Sequence, residues 1–146
     1  MRSLLLAFSV TPLRQVPGLG WLGVHRRMVG LFAFTYVLLH VVAYLFFFIE
    51  FSWAALLEDF NDRVYITAGI VAVLCLVPMA VTSTIPWRRR LGPAWGKLHR
   101  LIYPALAAAV LHVWWLTRDG FGEPLLYVVW FVVLLAARYR ARRRQA

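Results

Sequence analysis

Leu98-His99-Arg100-Leu101-Ile102-Tyr103-Pro104, then an apolar run, then Leu111-His112-Val113-Trp114-Trp115, is the stretch that decides the fold. It is an apolar segment of membrane length with a histidine at each end. Two helical positions thirteen residues apart lie ~20 Å apart along the axis. That is a large part of a ~30 Å hydrocarbon core. Imidazole in lipid is costly without a partner, so an intramembrane histidine marks a functional site by default. His40, in a second apolar run, is another such residue.

Composition agrees with a membrane setting. The 146 residues allow one domain, 1–146, and 62% of them are hydrophobic, above the share usual in soluble domains. Sixteen Lys and Arg face six Asp and Glu, a net charge of +10. In a soluble protein that surplus would point to nucleic acid. Here the basic residues flank apolar runs, so topology explains them and no nucleic-acid partner is expected. Cys75 is the single cysteine. It permits no intrachain disulfide, and without a Cys-x-x-Cys-His motif covalent c-type haem attachment is excluded.

The chain divides into apolar runs and charged loops. Leu4 to Val10 is too short to span. It reads as the tail of a spanning helix rather than a signal peptide, since no small-residue cleavage site follows. Pro17, Gly18, Gly20 and Gly23 mark a loop. Full spans are expected over 28–49, 64–86, 98–117 and about 125–137, the last one short for a membrane and anchored by Arg138 and Tyr139. The expected fold is therefore an all-α integral membrane protein: a bundle of four full transmembrane helices plus an N-terminal partial helix. Residues 138–146 form a basic tail.

Charge sets the orientation. All six carboxylates (Glu50, Glu58, Asp59, Asp62, Asp119, Glu123) fall in two loops on one side. Lys and Arg cluster on the other side, which the positive-inside rule makes cytoplasmic, with the C-terminal tail. His40 then lies thirteen residues beyond Arg27, ~20 Å deep, and His112 twelve beyond Arg100, ~18 Å deep. Two imidazoles at one depth on two helices are what bis-histidine ligation of one haem needs. His99, near the cytoplasmic end, would serve a second haem below it.

Blander readings exist. A lone membrane histidine is satisfied by a hydroxyl or a backbone carbonyl; equal depth makes ligation the stronger reading for His40 with His112. On an ideal helix His99 and His112 do not share a face, since thirteen residues fall roughly 140° short of four full turns. Pro104 would kink the helix between them. His25, fifteen residues before His40, is a candidate fourth ligand, though a surface-loop histidine is the simpler reading. Arg26 and Arg27 read as topology signals, or as cationic forks for haem propionates or a flavin phosphate. The tryptophans fall near expected interfaces.

Several motifs occur in a recognisable order: Val10-Thr11-Pro12-Leu13-Arg14; Arg26-Arg27-Met28-Val29-Gly30-Leu31 with Leu39-His40; Tyr65-Ile66-Thr67-Ala68-Gly69; Thr82-Ser83-Thr84; Arg89-Arg90-Leu91-Gly92; Leu98-His99-Arg100-Leu101-Ile102-Tyr103; His112; Glu123-Pro124 with Tyr127. On these the chain resembles the MsrQ (YedZ) family, haem-binding membrane subunits of the bacterial MsrPQ protein-methionine-sulfoxide reductase system, within the ferric-reductase-like transmembrane group. The resemblance implies b-type haem, one or two, at His40, His99 and His112. It implies FMN or a membrane quinol as electron source, a cytoplasmic flavin reductase as one supplier, and a periplasmic molybdopterin-containing partner (MsrP-like) in the bacterial inner membrane system. That partner reduces methionine sulfoxide in oxidised periplasmic proteins, so this chain is an electron-transfer subunit rather than the site of substrate chemistry. Val64 stands where the family usually has proline. Family members also extend further at the N-terminus by one full span and most of another, so a late start or a reduced form is expected. Two rival readings are a transmembrane ferric reductase or oxidase core, and a non-redox membrane scaffold.

Overall fold

The computed structural model describes residues 1–117, 120 and 122–143, with the Arg142 side chain excepted. Expectations for Arg118, Asp119 and the end of the tail, 144–146, lie outside the described residues. Among those described there are helices and turns and no strand. In order they are α1 (Arg2–Leu13), α2 (Leu22–Phe47), α3 (Trp53–Asp62), α4 (Val64–Val81), α5 (Ile85–Leu91), α6 (Pro93–Leu98), a 3₁₀ turn (His99–Leu101), α7 (Ile102–Leu116) and α8 (Gly122–Arg143).

Among the described residues three helices are long and apolar enough to cross a membrane: Leu22–Phe47, Val64–Val81 and Gly122–Ala141. Their side chains turn outward. Phe32, Tyr36, Leu39, Phe46, Leu74, Leu126 and Val133 are all exposed, an arrangement lipid tolerates and water does not. The last span is longer than the 125–137 expected, because the helix runs on through Arg138 and Tyr139 to Arg143. The span expected over 98–117 is divided. α7 alone has fifteen residues, ~22 Å at helical rise, shorter than the hydrocarbon core.

The division has a local cause. Pro104 sits in the first turn of α7, where its missing N–H costs nothing. The backbone tightens to a 3₁₀ turn just before it, over His99–Leu101. The 3₁₀ turn adds roughly 60° between His99 and His112, less than half of the shortfall of an unbroken helix, and the two side chains line different cavities. Two expected loops also contain helix. Ser52 caps α3 by accepting from the Ala55 N–H at 3.3 Å, and Gly92 at φ +48° makes the corner between α5 and α6.

α1 is the centre of the packing rather than a peripheral stub. Leu4, Leu5 and Phe8 are buried with Ala33 of α2, Leu76 of α4, Ala105 and Leu106 of α7, and Leu134 of α8. Arg2 pairs with Glu123 at 2.8 Å and reaches the Tyr127 hydroxyl at 3.1 Å. Further along, Trp130 donates to Ser9 at 3.2 Å and Arg138 to the Phe8 carbonyl at 2.6 Å, so α1 and α8 run in the same direction. α4 lies along α7 over the largest helix contact, and that contact carries the site.

Candidate functional site

His40 and His112 come together. Their ring centroids are 6.2 Å apart and their planes cross at 77°. α2 presents His40 and α7 presents His112, at the level that loop charges place both. His112 Nδ1 lies 2.6 Å from the carbonyl oxygen of Tyr65 on α4. A carbonyl only accepts, so Nδ1 carries the proton and the neutral ring keeps its lone pair on Nε2. That is the tautomer a metal-ligating histidine adopts, oriented through its second nitrogen by a carbonyl.

The spacing fits one metal ion between the rings. Two imidazoles on one ion, at ~2 Å bonds and ~1.1 Å from ligating nitrogen to ring centre, can have their centroids up to about 6.2 Å apart. Among the described residues no three His, Cys, Asp or Glu converge on one point. An ion here would draw its remaining ligands from a macrocycle, as haem iron does. A cavity of about 190 Å³ opens beside the two rings, walled by Tyr36, Val37, Gly69, Ala72, Leu76 and Ala109 among others. Two imidazoles at this spacing suit haem iron, and His40 and His112 are the residues that would hold it.

His99 lines a second, larger cavity of about 500 Å³. Its ring stacks on Trp95 at 3.9 Å, and its Nδ1 donates to the Trp95 carbonyl at 3.1 Å. Trp95 is itself fixed by Nε1 donating to the Thr82 carbonyl at 2.9 Å, with the Arg88 guanidinium 5.3 Å over its ring. Arg26 and Arg27 line this cavity, joined by Arg14, Arg88 and Arg138. Five cationic side chains around one opening suit an anionic group, phosphate or carboxylate. Leu4 and Leu76 wall both cavities, so a thin apolar partition separates them.

His25 stands apart. It is exposed, lines neither cavity, and packs on Trp21 with its Nδ1 3.4 Å from the Trp21 carbonyl. The structure does not bring it to His99. Sequence reasoning missed Tyr65 and Gly69, whose part depends on a carbonyl and an absent side chain. It also read Arg14, Arg88 and Arg138 only as topology. The Val10-Thr11-Pro12-Leu13-Arg14 and Tyr65-Ile66-Thr67-Ala68-Gly69 motifs were the signal available for Arg14, Tyr65 and Gly69.

The family described as "Ferric reductase like transmembrane component" matches residues 1–110. A protein of Xanthomonas campestris pv. campestris (strain 8004), named protein-methionine-sulfoxide reductase heme-binding subunit MsrQ, is 45% identical over 100% of this chain and 69% of its own length. A Rhodospirillum rubrum protein of the same name is 44% identical over 98% of this chain and 70% of its own length. No solved structure matches. With the family match covering most of its length and both relatives aligned over nearly all of this chain, it belongs to the ferric-reductase-like transmembrane family, among the MsrQ subunits.

Proposed function

We propose that the chain is a b-type cytochrome of the bacterial inner membrane that carries electrons from a cytoplasmic-side donor to a periplasmic, molybdenum-containing methionine sulfoxide reductase. The observation that carries this reading is the His40–His112 pair at 6.2 Å, with Nε2 of His112 left as the lone-pair nitrogen by its bond to Tyr65. Haem bound between these rings supplies one-electron transfer. The chain's own residues do the rest. α2 and α7 hold the imidazoles, and Leu4, Ala72 and Leu76 give the site an apolar wall. Arg26 and Arg27 put positive charge at the cytoplasmic end, where the FMN phosphate or haem propionates would sit, with His99 as the ligand for a second haem at that level.

The charge pattern supports four crossings. α7, extended through the 3₁₀ turn and α6, makes the fourth, so His40 and His112 lie toward the periplasm. The carboxylates Glu50, Glu58 and Asp62 then face the partner, and the basic loops face the cytoplasm. Methionine sulfoxide formation is reversible, so a repair system needs such an electron supply. The test is reconstitution in liposomes, with reduced flavin or quinol as donor and the molybdenum reductase plus sulfoxide-bearing protein outside. Sulfoxide reduction that needs this chain and is lost in His40→Ala and His112→Ala is expected. Transfer to ferric chelate in the partner's absence, with none to the partner, would overturn it in favour of a ferric reductase.

A further inference from the structure

We propose that Gly69 and the Tyr65 carbonyl form the positioning device for His112, a role that rests on the haem reading above. Tyr65 lies in the first turn of α4, four residues before Gly69. In a helix its carbonyl accepts from the Gly69 N–H and keeps a second lone pair. The Nδ1–H of His112 takes that lone pair at 2.6 Å. To reach it, the imidazole brings its Nδ1–Cε1 edge against the helix surface at the one position of α4 with no side chain. A Cβ added at Gly69 would come 2.9 Å from Nδ1 of His112, 3.1 Å from Cε1 and 3.6 Å from Cγ. The first distance is closer than side chains pack, so the ring would have to leave.

It has two ways to leave. Rotation about its own side-chain bonds breaks the hydrogen bond to Tyr65. Separation of α7 from α4 opens the largest helix contact in the bundle. Either way the ring changes its distance and angle to His40. Gly69 is therefore a positioning residue, acting on the cofactor through His112. Helical glycines elsewhere carry no such burden: a Cβ at Gly96 on α6 meets nothing within 4 Å.

The test compares Gly69→Ala with Gly96→Ala and wild type. Alanine is the better helix former, so retained helical circular dichroism and monodisperse elution are expected for both. For Gly69→Ala the haem affinity should fall by about tenfold or more, and residual haem should show shifted electron paramagnetic resonance g-values and midpoint potential. Gly96→Ala should match wild type in all three. A Gly69→Ala protein with wild-type affinity, g-values and potential overturns the proposal. A second measurement decides it should Gly69→Ala not fold: nitrogen-15 NMR of histidine-labelled, haem-free wild type, with the His112 signal assigned by its loss in His112→Ala. An Nδ1–H tautomer at His112 supports the device, and an Nε2–H tautomer overturns it. Colourless wild-type protein would sink the haem reading instead, and the tautomer would still judge the device.

Discussion

Arg138 of α8 donates to the carbonyl oxygen of Phe8 on α1 at 2.6 Å and holds its guanidinium 3.5 Å from the centre of the Phe8 ring. Position alone makes Arg138 a membrane-edge anchor at the end of a short span. Instead it turns inward and ties the last helix to the first. A charge-assisted hydrogen bond contributes about 1.5–3 kcal/mol, and a partly desolvated cation over an aromatic face about 1 kcal/mol more. Arg138→Ala is expected to lower stability by about 2–4 kcal/mol, read as a drop in Tm in detergent. Arg138→Lys should recover less than half, since an ammonium cannot both fork to the carbonyl and lie flat on the ring. Full recovery by lysine would show that only charge matters here.

Leu106 of α7 is fully buried, whereas Leu74 of α4 is 65% exposed. In lipid, burial brings little transfer energy, because acyl chains are as apolar as leucine. What remains is the cavity left by truncation. Leu106→Ala should therefore cost about 2–3 kcal/mol, the lower part of the range for soluble cores, and Leu74→Ala close to nothing. Equal losses for the two would mean that the α1-centred core is not the packing that holds the bundle.

Arg26 and Arg27 share the larger cavity with three further arginines. If a flavin phosphate is the anion they hold, each lost charge-assisted bond costs about 1.5–3 kcal/mol. Arg26→Gln and Arg27→Gln should then each weaken FMN binding about tenfold or more, measured by quenching of flavin fluorescence. Riboflavin, which lacks the phosphate, should bind weakly to all forms. Equal affinity for FMN and riboflavin would assign the arginines to topology alone.

Glu58 on α3 and Arg89 on α5 lie in segments read to opposite faces. In a Cys75→Ser background, Glu58→Cys should react with an impermeant maleimide added to intact spheroplasts. Arg89→Cys should react only after the membrane is opened. Labelling of both from one side would remove the four-crossing topology.

The histidine pair was legible because charge and length alone fix depth. His40 lies thirteen residues beyond Arg27 and His112 twelve beyond Arg100, so the two were expected level. Lateral neighbours are another matter. Nothing in the pattern around Tyr65 says that its carbonyl has a spare lone pair facing α7, or that Gly69 is bare so that an imidazole fits. The role of α1 was hidden for a similar reason. Leu4, Leu5 and Phe8 read as too short to span, and periodicity reports which face is apolar without saying what it meets. Pro104 announced a break, yet the tightening fell three to five residues earlier, over His99–Leu101, because proline constrains the turn that precedes it. α3 was missed because its acidic residues made it look like a loop, although Ser52 is an ordinary helix cap.

The central claim is that His40 and His112 hold one haem between them. Its most direct test is the oxidised and dithionite-reduced absorption spectrum of the detergent-purified protein, expressed with ample haem, beside His40→Ala, His112→Ala and His25→Ala. A low-spin b-type spectrum in wild type and His25→Ala, with the same component missing from both His40→Ala and His112→Ala, is the predicted result. Unchanged spectra in either of those two variants, or a colourless wild-type protein, would contradict it.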